Sequence, residues 1–140
     1  MERLRKADLL VLRFTDGEDL LEGMKKALKE EAIDYGVVLG GVGMLKNPQL
    51  AFYKGDGVYE PLPVDEEVEL CALNGNIAIV DGEPFIHVHA TLGKADGKAV
   101  AGHFAAGRVH LTAEVAISAI GIKMTRVLDS KTGLKSLRFE

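Results

Sequence analysis

Hydrophobic and polar residues alternate along most of this chain, and a helical period interrupts the alternation once. Residues 8–14, DLLVLRF, read as a first strand, ended by Thr15-Asp16-Gly17, where a turn and a helix N-cap are expected to coincide. Glu18 and Asp19 then fall in the first turn, beside the positive end of the helix dipole. Leu20, Leu21, Met24, Ala27, Leu28 and Ala32 recur at three- and four-residue spacing, opposite Glu22, Lys25, Lys26, Lys29 and Glu30. That pattern predicts an amphipathic helix of about four turns whose apolar stripe is core packing.

Beyond it the period returns to two. Residues 36–45, GVVLGGVGML, predict a buried strand whose glycines permit a bulge; a dinucleotide loop is excluded because the third glycine is missing and Asn47-Pro48 follows at once. Residues 49–54 predict a further strand, Gly55-Asp56-Gly57 a turn and residues 58–60 its short return, with Pro61-Leu62-Pro63 breaking regular structure. Residues 67–73 and 76–80 read as strands separated by a tight turn at Asn74-Gly75, and Asp81-Gly82 marks another turn. Strands joined so tightly must be antiparallel, so the middle of the chain reads as a meander.

Between residues 109 and 120, Val109, Leu111, Ala113, Val115 and Ile117 are predicted to point inward, against His110, Thr112, Glu114, Ala116 and Ser118; the β-branched alternation favours a strand, although length and alanine content leave a helix open on propensity alone. Residues 123–128 and 134–139 predict two last strands around a turn at 129–133. The expected fold is α+β: a largely antiparallel sheet of short-turn meander strands packed with one long amphipathic helix, in a single domain over residues 1–140.

Composition narrows the class. The chain has 140 residues, of which 47% are hydrophobic, yet no apolar run approaches the roughly 18 residues that span a bilayer. The first eight residues alternate charge and lead into a strand, unlike a signal peptide, so a cytoplasmic protein is expected. The lone Cys71, in a strand-like run, is expected to be a buried small hydrophobe without a catalytic role. Net charge is −4 with no basic cluster, which argues against direct nucleic-acid binding, where counterion release needs several Lys or Arg on one face.

Chemistry concentrates in residues 85–114, which hold all four histidines. On a strand, Ile86, Val88, Ala90 and Leu92 form one apolar face while Phe85, His87, His89 and Thr91 form the other. Two imidazoles two residues apart, roughly 6.5 to 7 Å at the backbone, can lean onto one ion. Asp96-Gly97 then turns the chain back. A three-residue loop (Ala95, Asp96, Gly97) places His103 opposite His89 on the histidine face, whereas a two-residue loop places it opposite Ala90 unless Gly102 forms a bulge. In the favourable register His87, His89 and His103 become a candidate site for a divalent metal, zinc by donor type, with a position left for water or substrate. Otherwise they are hydrogen-bonded polar residues at a face or interface. His110 lies on another strand and is at most a neighbour of this group.

Glu114 is the catalytic candidate: from a face shared with His110 and Thr112 it can orient an imidazole or act as a base, or it can simply pair with Arg108 or Arg126. Arg13 can bind a carboxylate, although nothing in the sequence brings it near the hairpin.

The run GNIAIVDGEPFIHVHATLGKADGKAVAGHFAAGRVHLTAEV, residues 75–115, resembles the plants-and-prokaryotes-conserved (PPC) domain, whose members carry H-x-H, then D-G, then G-G-H-L and a T-x-E-V strand. The likeness extends over nearly the whole chain and is specific in the histidine-rich block. Ala101-Gly102-His103 replaces the usual Gly-Gly-His, and Phe104 the usual Leu, which are steric changes that remove no ligand. The resemblance implies a homotrimer with its site region at or near subunit contacts, which would also cover sheet edges. Prokaryotic members are described as candidate DNA-binding proteins; the basic AT-hook arm of plant members has no counterpart here.

Three readings follow. One is a zinc-carrying regulatory or DNA-associated homotrimer. A second is a metal-dependent lyase acting on a small 2-oxo or 2-hydroxy acid, since H-x-H with a later His also resembles acetolactate decarboxylase, a longer enzyme whose other catalytic residues do not map onto this chain. The third is a structural trimer without an ion.

Overall fold

The computed structural model describes residues 1–140 and consists of nine strands and one helix: β1 (Glu2–Lys6), β2 (Leu9–Thr15), α1 (Leu20–Glu30), β3 (Gly36–Gly55), β4 (Val58–Pro63), β5 (Glu67–Val80), β6 (Glu83–Gly93), β7 (Ala99–Ala119), β8 (Met124–Leu128) and β9 (Lys135–Phe139). The expected α+β class is wrong. Strands make up 68% of the chain and helix 8%, so this is a mostly β fold.

The helix is short because its apolar period outlasts its backbone. Ala32 takes a left-handed φ of 52°, and the Ile33 N–H returns to the Leu28 carbonyl at 2.9 Å, closing the helix after 11 residues. It also begins later than expected. Asp19 is the N-cap, its side chain accepting from the Glu22 N–H at 3.0 Å, while Glu18 turns away to bind the N-terminal ammonium and the Thr15 N–H.

The strands are longer than local turn signals suggest. β3 runs through Asn47-Pro48, where Asn47 takes φ 45° and the pairing with β7 shifts register between Lys46 and Gln49; the strand bends there and continues. β5 runs straight through Asn74-Gly75, with Asn74 opposite His89 and Gly75 opposite Val88, and the Asn74 side chain donates to the Leu39 carbonyl at 3.0 Å. Pro61 and Pro63 stay within β4 because β4 pairs only with β3 and is an edge strand, where prolines leave no ladder bond unmade. An additional strand, β1, pairs with β2 through the charged N-terminal residues.

β3 pairs with both β5 and β7, and β6 pairs with the same two strands, so these four close into a ring. β2 and β1 extend the sheet from β7, and β8 and β9 extend it from β5. The core gathers Leu10, Leu12 and Phe14 of β2 and Leu20, Met24 and Leu28 of α1 against inward residues of the ring such as Leu73, Ile77, Val88, Phe104 and Val115. Four expectations about burial fail: Ala32 of the helical stripe is exposed, β3 is buried on one face only and leaves Val37, Leu39 and Val42 exposed, and Leu111 and Cys71 also lie outside the core. Leu111 is 62% exposed, because β7 bulges at that point, with φ 61° at Leu111 and a register shift against Gly43 and Met44. Cys71 is also exposed, at a second shift between Leu70 and Ala72. No helix is long and apolar enough to cross a membrane.

Candidate metal centre

β6 sends Ile86, Val88, Ala90 and Leu92 into the core, which leaves His87 and His89 together on its outer face. The chain then reverses through a three-residue loop. Lys94 N–H donates to the Lys98 carbonyl at 2.8 Å, Gly97 N–H to the Lys94 carbonyl at 2.9 Å, and Gly97 takes the φ of 81° that this turn requires. Asp96 fastens the loop by accepting from the Lys98 N–H at 3.0 Å. The resulting register sets His103 of β7 opposite His89, and the burial of Phe104 turns His103 outward onto the histidine face.

The three rings form a compact group. Their centroids are separated by 5.4 Å (His87 and His89), 5.2 Å (His87 and His103) and 5.6 Å (His89 and His103), and one nitrogen from each lies within 4.8 Å of the others. Ligand nitrogens around a tetrahedral zinc lie about 3.4 Å apart, so modest ring rotations bring the donors to an ion. Burial, with the positive charge of Arg126 and the neighbouring imidazoles, holds His87 down to about 4; burial, His89 and Arg126 lower His103 likewise. Both rings are thus neutral at pH 7 and keep a lone pair. His103 Nδ1 is buried and has no hydrogen-bond partner, an orphaned acceptor or donor of the kind a ligand satisfies. This donor set suits a borderline-soft divalent ion.

Sequence reasoning missed the second layer. Asn76 lies opposite His87 on β5, and β8 sits beside β5 through the Ile79 and Thr125 pair, which delivers Arg126 to the site. Arg126 Nη2 donates to Asn76 Oδ1 and to His87 Nδ1, each at 2.8 Å, and Nη1 donates to the Lys135 carbonyl at 3.0 Å. Since a guanidinium can only donate, His87 Nδ1 is the acceptor and the neutral ring carries its proton on Nε2, so an ion taking up His87 must displace Arg126 from Nδ1 or the proton from Nε2. Tyr59 of β4 packs on His103 with centroids 5.1 Å apart. Only the face alternation of residues 76 and 87 was available as a signal, and it needed the β5–β6 pairing that the Asn74-Gly75 turn expectation denied.

The other candidates lie elsewhere. Glu114 is eleven positions beyond His103 on β7, roughly 35 Å along an extended strand, and sits opposite Arg13 among exposed apolar residues. It pairs with neither Arg108, which donates to the Gly17 carbonyl at 3.0 Å, nor Arg126. Arg13 is held by Glu2 at 2.7 Å. His110 lies between Asp16 at 3.2 Å and Glu67 at 3.4 Å, away from the other three histidines.

The family model of the Plants and Prokaryotes Conserved (PCC) domain, the family abbreviated PPC above, matches residues 1–121. The chain belongs to this family. Among solved structures, a PPC protein of Pyrococcus horikoshii is 30% identical with a TM-score of 0.82, the match covering 96% of this chain and 93% of that one. A metal-containing protein of Archaeoglobus fulgidus is 27% identical with a TM-score of 0.86, covering 93% and 92%. A candidate DNA-binding protein of Bacteroides thetaiotaomicron shares the fold with a TM-score of 0.92 at 21% identity, covering 99% and 96%. The bifunctional protein GlmU of a Synechococcus strain is 28% identical over 131 residues, 92% of this chain; the chain spans about a fifth (20%) of the length of that relative. None of these relatives is an acetolactate decarboxylase, so the likeness to that enzyme stays a sequence resemblance.

Proposed function

We propose that this PPC-domain protein is a metal-binding regulatory protein that holds a divalent ion, zinc by donor preference, on His87, His89 and His103, and works as a homotrimer. The observation that carries the reading is the convergence of three imidazoles, two of them held neutral, around an orphaned buried nitrogen. The Archaeoglobus relative described as metal-containing supports it. Bound there, zinc supplies a Lewis-acid centre with a coordination position left for water or a small ligand.

Assembly is supported by the outer face of β2, β7 and β3. Leu9, Val11, Val37, Leu39 and Val42 are 38–52% exposed there, in rows that cross the sheet through Ser118, Ala116 and Glu114. Such a contiguous aliphatic face is what a copy of the same chain would cover. The net charge of −4 disfavours direct contact with nucleic acid, so any DNA association is assigned to a partner.

Elemental analysis of protein purified without an affinity tag is expected to give about one zinc per chain, lost in His87→Ala and His103→Ala. Wild-type protein that stays metal-free after zinc exposure refutes the metal assignment. Sedimentation equilibrium is expected to give a trimer that Val11→Lys with Leu39→Glu dissociates; a monomeric wild type refutes the assembly.

A further inference from the structure

Beside the histidine cluster lies a cleft of about 400 Å³ lined by Tyr59, Phe85, His87, His103, Arg126 and Ser136 among others. Its size is at the lower end of the range for small-molecule sites. What distinguishes it is charge without a counter-charge. Arg3, Arg5 and Arg13 each have a glutamate partner, and Arg108 and Arg138, which have none, are exposed to solvent; Arg126 is half-buried at the cleft wall and has no carboxylate partner. Its three hydrogen bonds all go to neutral acceptors, leaving two of the five guanidinium N–H groups unused, one of them the buried Nε. No Asp or Glu lines this cleft or the adjoining one on the other side of His103 and Tyr59, and the remaining cation, Lys135, is already held by Asp81 at 2.9 Å.

A half-buried guanidinium with no anion and a buried, unpartnered Nε is costly, and an ion on the neighbouring imidazoles adds positive charge to the same space. The missing component is an anion. Tyr59, Phe85 and Leu134 give the cleft aromatic and apolar walls, which suit the body of an organic ligand better than a bare inorganic one.

We propose that this cleft binds a small organic carboxylate, its carboxyl group held by Arg126 and its short body lying against Tyr59 and Phe85 toward the histidine cluster. This deepens, and for the loaded protein rests on, the metal assignment above. Because a guanidinium now bonded to His87 Nδ1 would turn toward the carboxylate, ligand binding and ion binding at His87 reinforce one another.

Isothermal titration of zinc-loaded and zinc-free protein with pyruvate, lactate, lactamide and inorganic phosphate tests it, with zinc content measured on the same samples. Pyruvate and lactate are expected to bind, more tightly in the zinc-loaded form, and lactamide at least about tenfold more weakly, the usual weight of a charge-assisted hydrogen bond. Arg126→Met is expected to retain its far-ultraviolet circular dichroism and its zinc while losing carboxylate affinity about tenfold or more, with Arg126→Lys intermediate. Equal binding of lactate and lactamide, unchanged affinity in Arg126→Met, or no carboxylate binding to zinc-loaded wild type overturns the proposal; phosphate binding tighter than either acid overturns the choice of carboxylate. Should the protein take up no zinc, the metal assignment fails by itself, and carboxylate binding to the zinc-free wild type, lost in Arg126→Met, still decides the anion site.

Discussion

Gly75→Ala is the substitution that links the sheet to the site most sharply. Gly75 sits in the middle of β5, paired with Val38 on one side and Val88 on the other, so its backbone has no freedom to retreat. A Cβ there would lie 1.9 Å from the His87 carbonyl oxygen and 2.8 Å from both the His87 carbonyl carbon and Val88 Cα. All three are main-chain atoms, so no rotamer change relieves the clash. Restoring ordinary contact requires β6 to move by about 1.5 Å at the residue that carries one of the imidazoles. Overpacking costs about 1 to 3 kcal/mol, and a clash against backbone belongs at the top of that range, about 3 kcal/mol. For a chain of this size that lowers Tm by roughly 10 °C. Metal sites tolerate errors of only about 0.2 Å in ligand distance, so zinc affinity should fall by roughly tenfold or more. Thermal unfolding of metal-stripped protein at fixed concentration and competition with a chromophoric zinc chelator measure the two effects. Gly121→Ala, where a Cβ meets nothing within 4 Å, is the control and should be close to neutral. A Gly75→Ala protein with unchanged Tm and unchanged zinc affinity would show that β5 and β6 are not packed as described.

Two further perturbations probe other parts of the account. His87 is held at about 4 against an ordinary 6.5, so an unfolded chain takes up a proton below pH 6.5 that the folded chain refuses; metal-free stability is full above that pH and declines as pH falls from 6.5 toward 4. The gap sets an upper limit of about 3 kcal/mol, about half of which survives solvent screening at this half-exposed ring, and His103 acts in the same direction. Urea denaturation between pH 7 and pH 4.5 should show this slope in the wild type and a flatter one in His87→Gln; equal slopes contradict the assignment. Asp19→Ala removes the N-cap of α1 and should cost about 1 kcal/mol by urea denaturation, with Asp19→Asn close to neutral; an unchanged midpoint in Asp19→Ala would show that the cap lies elsewhere.

The hairpin that builds the site was legible because its determinants are local. Alternation fixed which residues of β6 face the core, and Asp96-Gly97 in a three-residue loop fixed His89 opposite His103. The larger sheet was not legible for the opposite reason. Asn47-Pro48 and Asn74-Gly75 carry strong local turn signals, yet pairing on both sides carries β3 and β5 through them, using a bulge at the first and a glycine pressed against a carbonyl at the second. The helical period overestimated α1 because Ala32 fits the apolar stripe while adopting a left-handed backbone. Arg126 was visible only as a potential partner of Glu114. Its true partner, His87, is 39 residues away, and the link between them is a short parallel contact between β5 and β8 that no sequence period announces.

The most direct test of the account is a crystal structure of zinc-loaded protein with an anomalous difference map at the zinc edge. One peak is predicted per chain, within bonding distance of His87, His89 and His103, at about 2.0 to 2.1 Å from each ring. A map in which zinc instead occupies His110 with Asp16 and Glu67, or in which no peak lies between the three rings, would contradict it.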